Sequence, residues 1–205
     1  MMKCVIGVNG VDGSGKTSVI RGLSNQIKEL YQPPNPLYLS DKFPKEEIPN
    51  WYRTSQPSVI VSALLDGNKR RNDLVLDKHN EFSALDRSYL TTIPACISHF
   101  MTKRGLNFKG ARQKVDEINE KIGYEEISDI VILLDIPLSK KEKIDLIKSR
   151  GENVDRGYEK YLLKLIENVD RVSSEYKKIF KIDATQPFDC VLDEALKVIK
   201  NNSRL

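Results

Sequence analysis

Four apolar runs divide the chain into segments of unlike period. "KCVIGVNG" (3–10), "EFSALD" (81–86), "DIVILLDIP" (129–137) and the shorter "IFKID" (179–183) are nearly continuous in apolar residues. That is the pattern of strands buried on both faces, not of strands with one face in water. "PLYLS" (36–40), introduced by the proline-rich "QPPNP", is a weaker fifth candidate. Between the runs, helical spacing of apolar residues predicts helices over 17–30, 57–77, 91–104, 110–123, 139–150, 158–178 and 188–201. Strands alternating with helices require crossover connections. The pattern therefore predicts one α/β domain over 1–205, a three-layer α/β/α arrangement around a mostly parallel sheet of about five strands. The polar stretch "SRGENVDRG" (149–157) separates two helices without a proline and predicts a mobile loop.

Composition narrows the function classes. The 33 basic residues are set against 29 acidic ones, a net charge of +4 that is mild for a nucleic-acid binder and suits anionic small molecules equally well. Cys4, Cys96 and Cys190 are scattered and lack a C-x-x-C spacing, which speaks against a zinc site or a disulfide framework. No leader-like segment precedes the first run, and no stretch approaches the roughly 20 apolar residues of a membrane span. The expectation is a soluble, intracellular protein with no membrane or nucleic-acid partner.

The chemistry is concentrated where the first run ends. "GVDGSGKTS" (10–18) spells G-x-x-x-x-G-K-T between a predicted strand and a predicted helix. Glycines allow turns that side chains forbid and leave N–H groups pointing inward, and the new helix adds its positive end. Gly10, Asp12, Gly13, Ser14, Gly15, Lys16, Thr17 and Ser18 thus form a candidate cradle for the phosphates of ATP. Lys16 would reach the terminal phosphates and Thr17 would hold Mg2+. A GTPase would carry N-K-x-D, but "NKRR" (68–71) lacks the aspartate; no L-S-G-G-Q stretch marks a transporter ATPase. The run 81–85 ends in Asp86-Arg87, whereas a motor ATPase would carry Asp-Glu. A small kinase remains, with Asp86 as a second metal-site carboxylate and Arg87 as a grip for a second phosphate.

At this point the sequence resembles a family. "GVDGSGKTS" (10–18), "DKFPK" (41–45), "LDRSY" (85–89), "KSRGENVDR" (148–156) and "IDATQPFDCVL" (182–192) are similar, in order and spacing, to the thymidylate kinases, P-loop nucleoside monophosphate kinases. The resemblance implies transfer of the ATP γ-phosphoryl group to a deoxynucleoside monophosphate, most readily dTMP, in a protein that is commonly a homodimer. It implies that Asp12 touches the acceptor's 3′-hydroxyl, that Arg87 holds its phosphate, and that Phe43 and Lys45 line its site. A basic residue on the helix before "LDRSY" contacts the acceptor; Lys69, Arg70 and Arg71 compete, and Arg70 is the choice. The phosphate loop holds no arginine, so the chain resembles the lid-arginine version, with Arg156 as charge stabiliser beside Lys16 and Asp86. Arg150 resembles the residue lying against adenine or its phosphates, and Thr185 and Gln186 stand where adenine rests.

The pattern breaks after Arg87. Ser88 replaces the usual tyrosine, and Thr91 can replace the family's serine as an acceptor contact. Ala95 and Cys96 stand where an aromatic–glutamine pair reads thymine, and a thiol cannot imitate an amide edge. Base reading is then left to another residue, such as Ser98 or His99. "DRS" also resembles deoxynucleoside kinases, for which Asp41 would be the base that deprotonates a free nucleoside. A non-catalytic nucleotide-binding regulator is a third reading.

Overall fold

The structure, a computed structural model, describes residues 3–34, 47–149 and 154–203. Four strands, β1 (Cys4–Asn9), β2 (Phe82–Asp86), β3 (Ile130–Asp135) and β4 (Phe180–Asp183), form one parallel sheet in the order β2-β1-β3-β4. They coincide with the four apolar runs. The sheet therefore has four strands among the described residues where about five were expected, and the fifth candidate, 36–40, lies outside them. The outer edge of β2 carries an isolated parallel bridge: the Tyr31 N–H donates to the Phe82 carbonyl and the Ala84 N–H to the Tyr31 carbonyl, each at 2.9 Å.

Alternate side chains of each strand enter opposite cores. Ile6, Val8, Ala84, Ile132 and Leu134 pack under α1 (Lys16–Gln26) and α8 (Phe188–Asn202). Val131 and Leu133 pack on the other face, in a larger core built from α3 (Pro57–Asp77), α4 (Tyr89–Arg104), α5 (Phe108–Ile122), α6 (Lys140–Ser149) and α7 (Arg156–Ser173). A fully buried Val or Ile contributes about 1.5–3 kcal/mol, against about 1 kcal/mol for a ladder hydrogen bond. Two-sided burial thus explains why the strands read as continuous apolar runs. A short helix absent from the sequence reading, α2 (Ile48–Thr54), brings Trp51 and Tyr52 against the larger core. Among the described residues, no helix is long and apolar enough to cross a membrane.

The topology sets the site. β1 is central, so the loop after Asn9 opens at the carboxyl end of the sheet, between the ends of β2 and β3. Ligands in such sheets bind at this edge.

Candidate active site

The loop from Gly10 to Lys16 is shaped by what cannot fit there. Gly10 has φ +148°, and a Cβ at that position would lie 2.5 Å from the Ser14 hydroxyl and 2.7 Å from the Leu134 carbonyl. Only glycine satisfies both constraints. The first turn of α1 has no side-chain cap and no acidic residue, whereas α5 and α7 are capped by Asn107 and Asp155. The N-terminal end of α1 thereby suits an anion. Lys16 is buried and its Nζ donates to the Val11 carbonyl at 2.8 Å, curled over the loop it would serve. The Thr17 hydroxyl donates to Asp86 Oδ2 at 2.7 Å. One hydroxyl beside one carboxylate, both at the loop's rim, fits a divalent cation that takes its other ligands from phosphate and water.

The turn after β2 is strained and braced. Arg87 is a non-glycine residue at φ +70°, a conformation costing about 1–3 kcal/mol. Its N–H donates to the Val8 carbonyl at 2.9 Å. The guanidinium of Arg71 donates to the carbonyls of Asp86 and Arg87 at 2.9 and 2.7 Å, and the Ser88 N–H donates to Asn9 Oδ1 at 2.9 Å. Hydrogen bonds from a charged group contribute about 1.5–3 kcal/mol each, so the brace outweighs the strain. The result is an arginine paired with Asp12 of the phosphate loop. Tyr158, whose own N–H is fixed by the Asp155 cap, donates its hydroxyl to the other Asp12 oxygen at 2.7 Å.

The charges are strongly coupled. Arg87 holds the Asp12 carboxyl far below the usual carboxylate range, against the opposing effect of burial and with help from Lys16 and Tyr158. Burial opposes the charge of Arg87, but the attraction and hydrogen bond of Asp12, with Asp86 and Tyr161 adding to them, raise its pKa above the ordinary value. Both groups are ionised at any pH suited to an enzyme.

The structure brings together Lys16, Thr17, Asp86, Asp12 and Arg87, and separates others from them. Thr91 is fully buried, and its hydroxyl donates to Asn9 Oδ1 at 2.9 Å and lies 3.4 Å from the Gly10 N–H. It anchors the base of the phosphate loop. Arg70 is exposed and paired with Asp66 along α3. Arg71 is the one turned to the strand end. Ser88 is buried because its hydroxyl donates to Glu126 Oε2 at 2.9 Å, which leaves no room for a tyrosine. Cys96 lies in the larger core, where burial pushes its thiol up, and does not face the cleft. Arg156 is exposed on the first turn of α7, two residues before Tyr158, in a helix and not in the expected loop. Thr185 donates its N–H and hydroxyl to Asp183, Gln186 reaches Glu194, and Ser18 is exposed on α1. Phe43, Lys45, Asp41 and Arg150 lie outside the described residues.

Sequence reasoning weighed Arg71 but preferred Arg70, and it did not single out Asn9 or Tyr158. The signal for Arg71 was present: Leu64, Asn68, Arg71 and Val75 recur at helical spacing and are all buried. Nothing comparable marks Tyr158.

No family model matches the chain. It is 29% identical over 209 residues to a probable thymidylate kinase 1 of Saccharolobus solfataricus, covering 98% of this chain and 99% of that protein. It is 26% identical over 210 residues to a probable thymidylate kinase of Archaeoglobus fulgidus, covering 96% and 95%. The chain is thus similar along nearly its whole length to two probable thymidylate kinases. Among solved structures, the fold resembles deoxyadenosine kinase from M. mycoides with bound dATP (TM-score 0.69, 19% identity, 97% of this chain and 100% of that one). It also resembles the thymidylate kinase from Candida albicans (TM-score 0.68, 17% identity, 98% and 92%).

A row of rings leads away from Asp12. Tyr158 stacks on Tyr161 at a centroid distance of 6.0 Å, Tyr161 lies 4.6 Å from His99, and His99 stacks on Tyr52 at 5.6 Å with planes 7° apart. Burial, aided by the charge of Lys103, pushes the His99 pKa down to about 3 from 6.5. The unfolded chain binds that proton below pH 6.5 and the folded one does not, so this stabilisation is complete above pH 6.5 and is lost on acidification toward pH 3. Acidifying from about pH 7 to pH 5 is expected to cost the wild type about 2 kcal/mol more than His99→Phe. Urea titrations at the two pH values test this; equal losses in the two proteins would show that His99 is not held neutral.

Proposed function

We propose that the protein catalyses ATP- and Mg2+-dependent phosphorylation of a deoxynucleoside monophosphate, with dTMP converted to dTDP as the leading reaction. The observation that carries the reading is the Asp12–Arg87 pair set beside the Lys16–Thr17–Asp86 cluster: a second anion grip faces the first across the phosphate loop. ATP's phosphates would rest on the loop and the N-terminus of α1, with Lys16 released from the Val11 carbonyl to reach them. Arg87 would exchange Asp12 for the acceptor's phosphate, and Asp12 would accept from the sugar hydroxyl.

An acceptor phosphate oxygen then bonds to the terminal phosphorus of ATP as the bond from that phosphorus to the bridging oxygen breaks, releasing ADP. Such transfer needs alignment and positive charge more than covalent help. Lys16 and Arg87 are fixed by buried contacts, while Arg156 sits on an exposed helix end and would add its charge on closure. When bound at Thr17 and Asp86, Mg2+ would neutralise charge on the phosphates.

The test is ADP release from ATP–Mg2+ with each common deoxynucleoside and its 5′-monophosphate. Turnover with dTMP supports the reading, and another monophosphate would keep the mechanism and change the base. Turnover only with free nucleosides would replace it with a deoxynucleoside kinase, and none at all with a nucleotide-binding regulator.

A further inference from the structure

We propose that His99 reads the base of the acceptor, presenting a neutral imidazole edge to a pyrimidine that lies along the ring row beside Asp12 and Arg87. This rests on the monophosphate kinase reading and names the residue that recognises the base at that site.

Three independent observations point there. First, the row Tyr158–Tyr161–His99–Tyr52 begins at the Asp12 carboxylate and runs away from the phosphate loop. A nucleotide held by its phosphate at Arg87 and its sugar at Asp12 places its planar base alongside that row, and aromatic faces are favourable neighbours for a base. Second, from Leu90 to Phe100 every residue of α4 is buried except Ala95, which is partly exposed one helical turn before His99. Third, among the described residues neither ring nitrogen of His99 has a hydrogen-bond partner, although the residue is 7% exposed. The ring nitrogens are not among the fully enclosed polar atoms without a partner, so the edge of this mostly buried ring keeps the access that a ligand edge needs.

The chemistry suits pyrimidines of both kinds. A neutral imidazole has one N–H and one acceptor nitrogen, and its two tautomers exchange them. The same nitrogen can donate to a keto oxygen or accept from an amino group. His99 therefore accommodates thymine and cytosine alike, unlike a residue with a fixed donor.

The test is equilibrium binding of dTMP, dCMP and 2-deoxyribose 5-phosphate to the wild type and to His99→Phe, which keeps the ring contacts and removes the nitrogens. The expected result is a loss of about 10–100-fold in affinity for both nucleotides, with deoxyribose phosphate and ATP affinities unchanged. His99→Gln, which restores a polar edge without the ring, should recover part of the loss, and it serves as the second probe should the phenylalanine variant fold poorly. Unchanged nucleotide affinity in His99→Phe overturns the proposal, as does an equal loss for deoxyribose phosphate, which marks a structural effect. Failure of the underlying reading looks different: the wild type would bind dTMP without phosphorylating it. A wild type that binds neither nucleotide overturns both.

Discussion

Lys16→Ala is expected to lower turnover by about a thousandfold or more, with the fold retained. Lys16 is the one cation lodged inside the phosphate loop, and the burial that makes it precise also makes it strong, because charge acts with little screening away from water. Among the described residues, the nearby arginines are engaged elsewhere: Arg87 with Asp12 and Arg71 with the carbonyls of the β2 turn. The effect should fall on the transfer step, so single-turnover rates should drop at saturating ATP and acceptor. Thermal unfolding checks that the protein is still folded. Turnover at the wild-type rate would remove the phosphate loop from the mechanism.

Arg87→Ala is expected to raise the acceptor KM by about 10–150-fold, as loss of a charge-assisted grip of about 1.5–3 kcal/mol implies, while ATP affinity changes little. The asymmetry comes from position. Arg87 projects from the β2 turn toward Asp12, whereas the neighbouring Asp86 is joined to Thr17. The variant also strips Asp12 of its main partner, so its carboxyl should move back up toward the ordinary range and be seen to titrate. Arg87→Lys keeps the charge but not the two-pronged geometry and should fall between the two. Steady-state kinetics with each substrate varied in turn decide the matter; an unchanged acceptor KM would place the acceptor elsewhere.

The strands and the phosphate loop are legible in the chain because two-sided burial and glycine spacing are local properties. The partners that aim the site are not. Thr91 reads as a free hydroxyl on a helix, yet the fold lays that turn beneath Gly10, and only the register of β1 against β2 puts Asn9 within its reach. Arg70 and Arg71 are adjacent and chemically equal, so the choice turns on rotation about the α3 axis, which the buried positions 64, 68 and 75 report. The positive φ of Arg87 leaves no trace in composition. Tyr158 is joined to Asp12 across 146 positions of sequence, a contact made by tertiary packing alone. The heptapeptide of α2 is too short for periodicity to show.

The central place of β1 has a consequence for how the protein comes into being. Its flanking strands begin at Phe82 and Ile130, so the glycine loop leaves a ribosome well before either neighbour exists. Contacts so distant along the chain form late, once loop-closure entropy has been met. A nascent chain that stops short of β3 has the complete motif but neither the Leu134 carbonyl against Gly10 nor the wall of the cleft. A chain cut off there is expected to bind ATP far more weakly than the whole protein, which equilibrium binding to such a fragment would check.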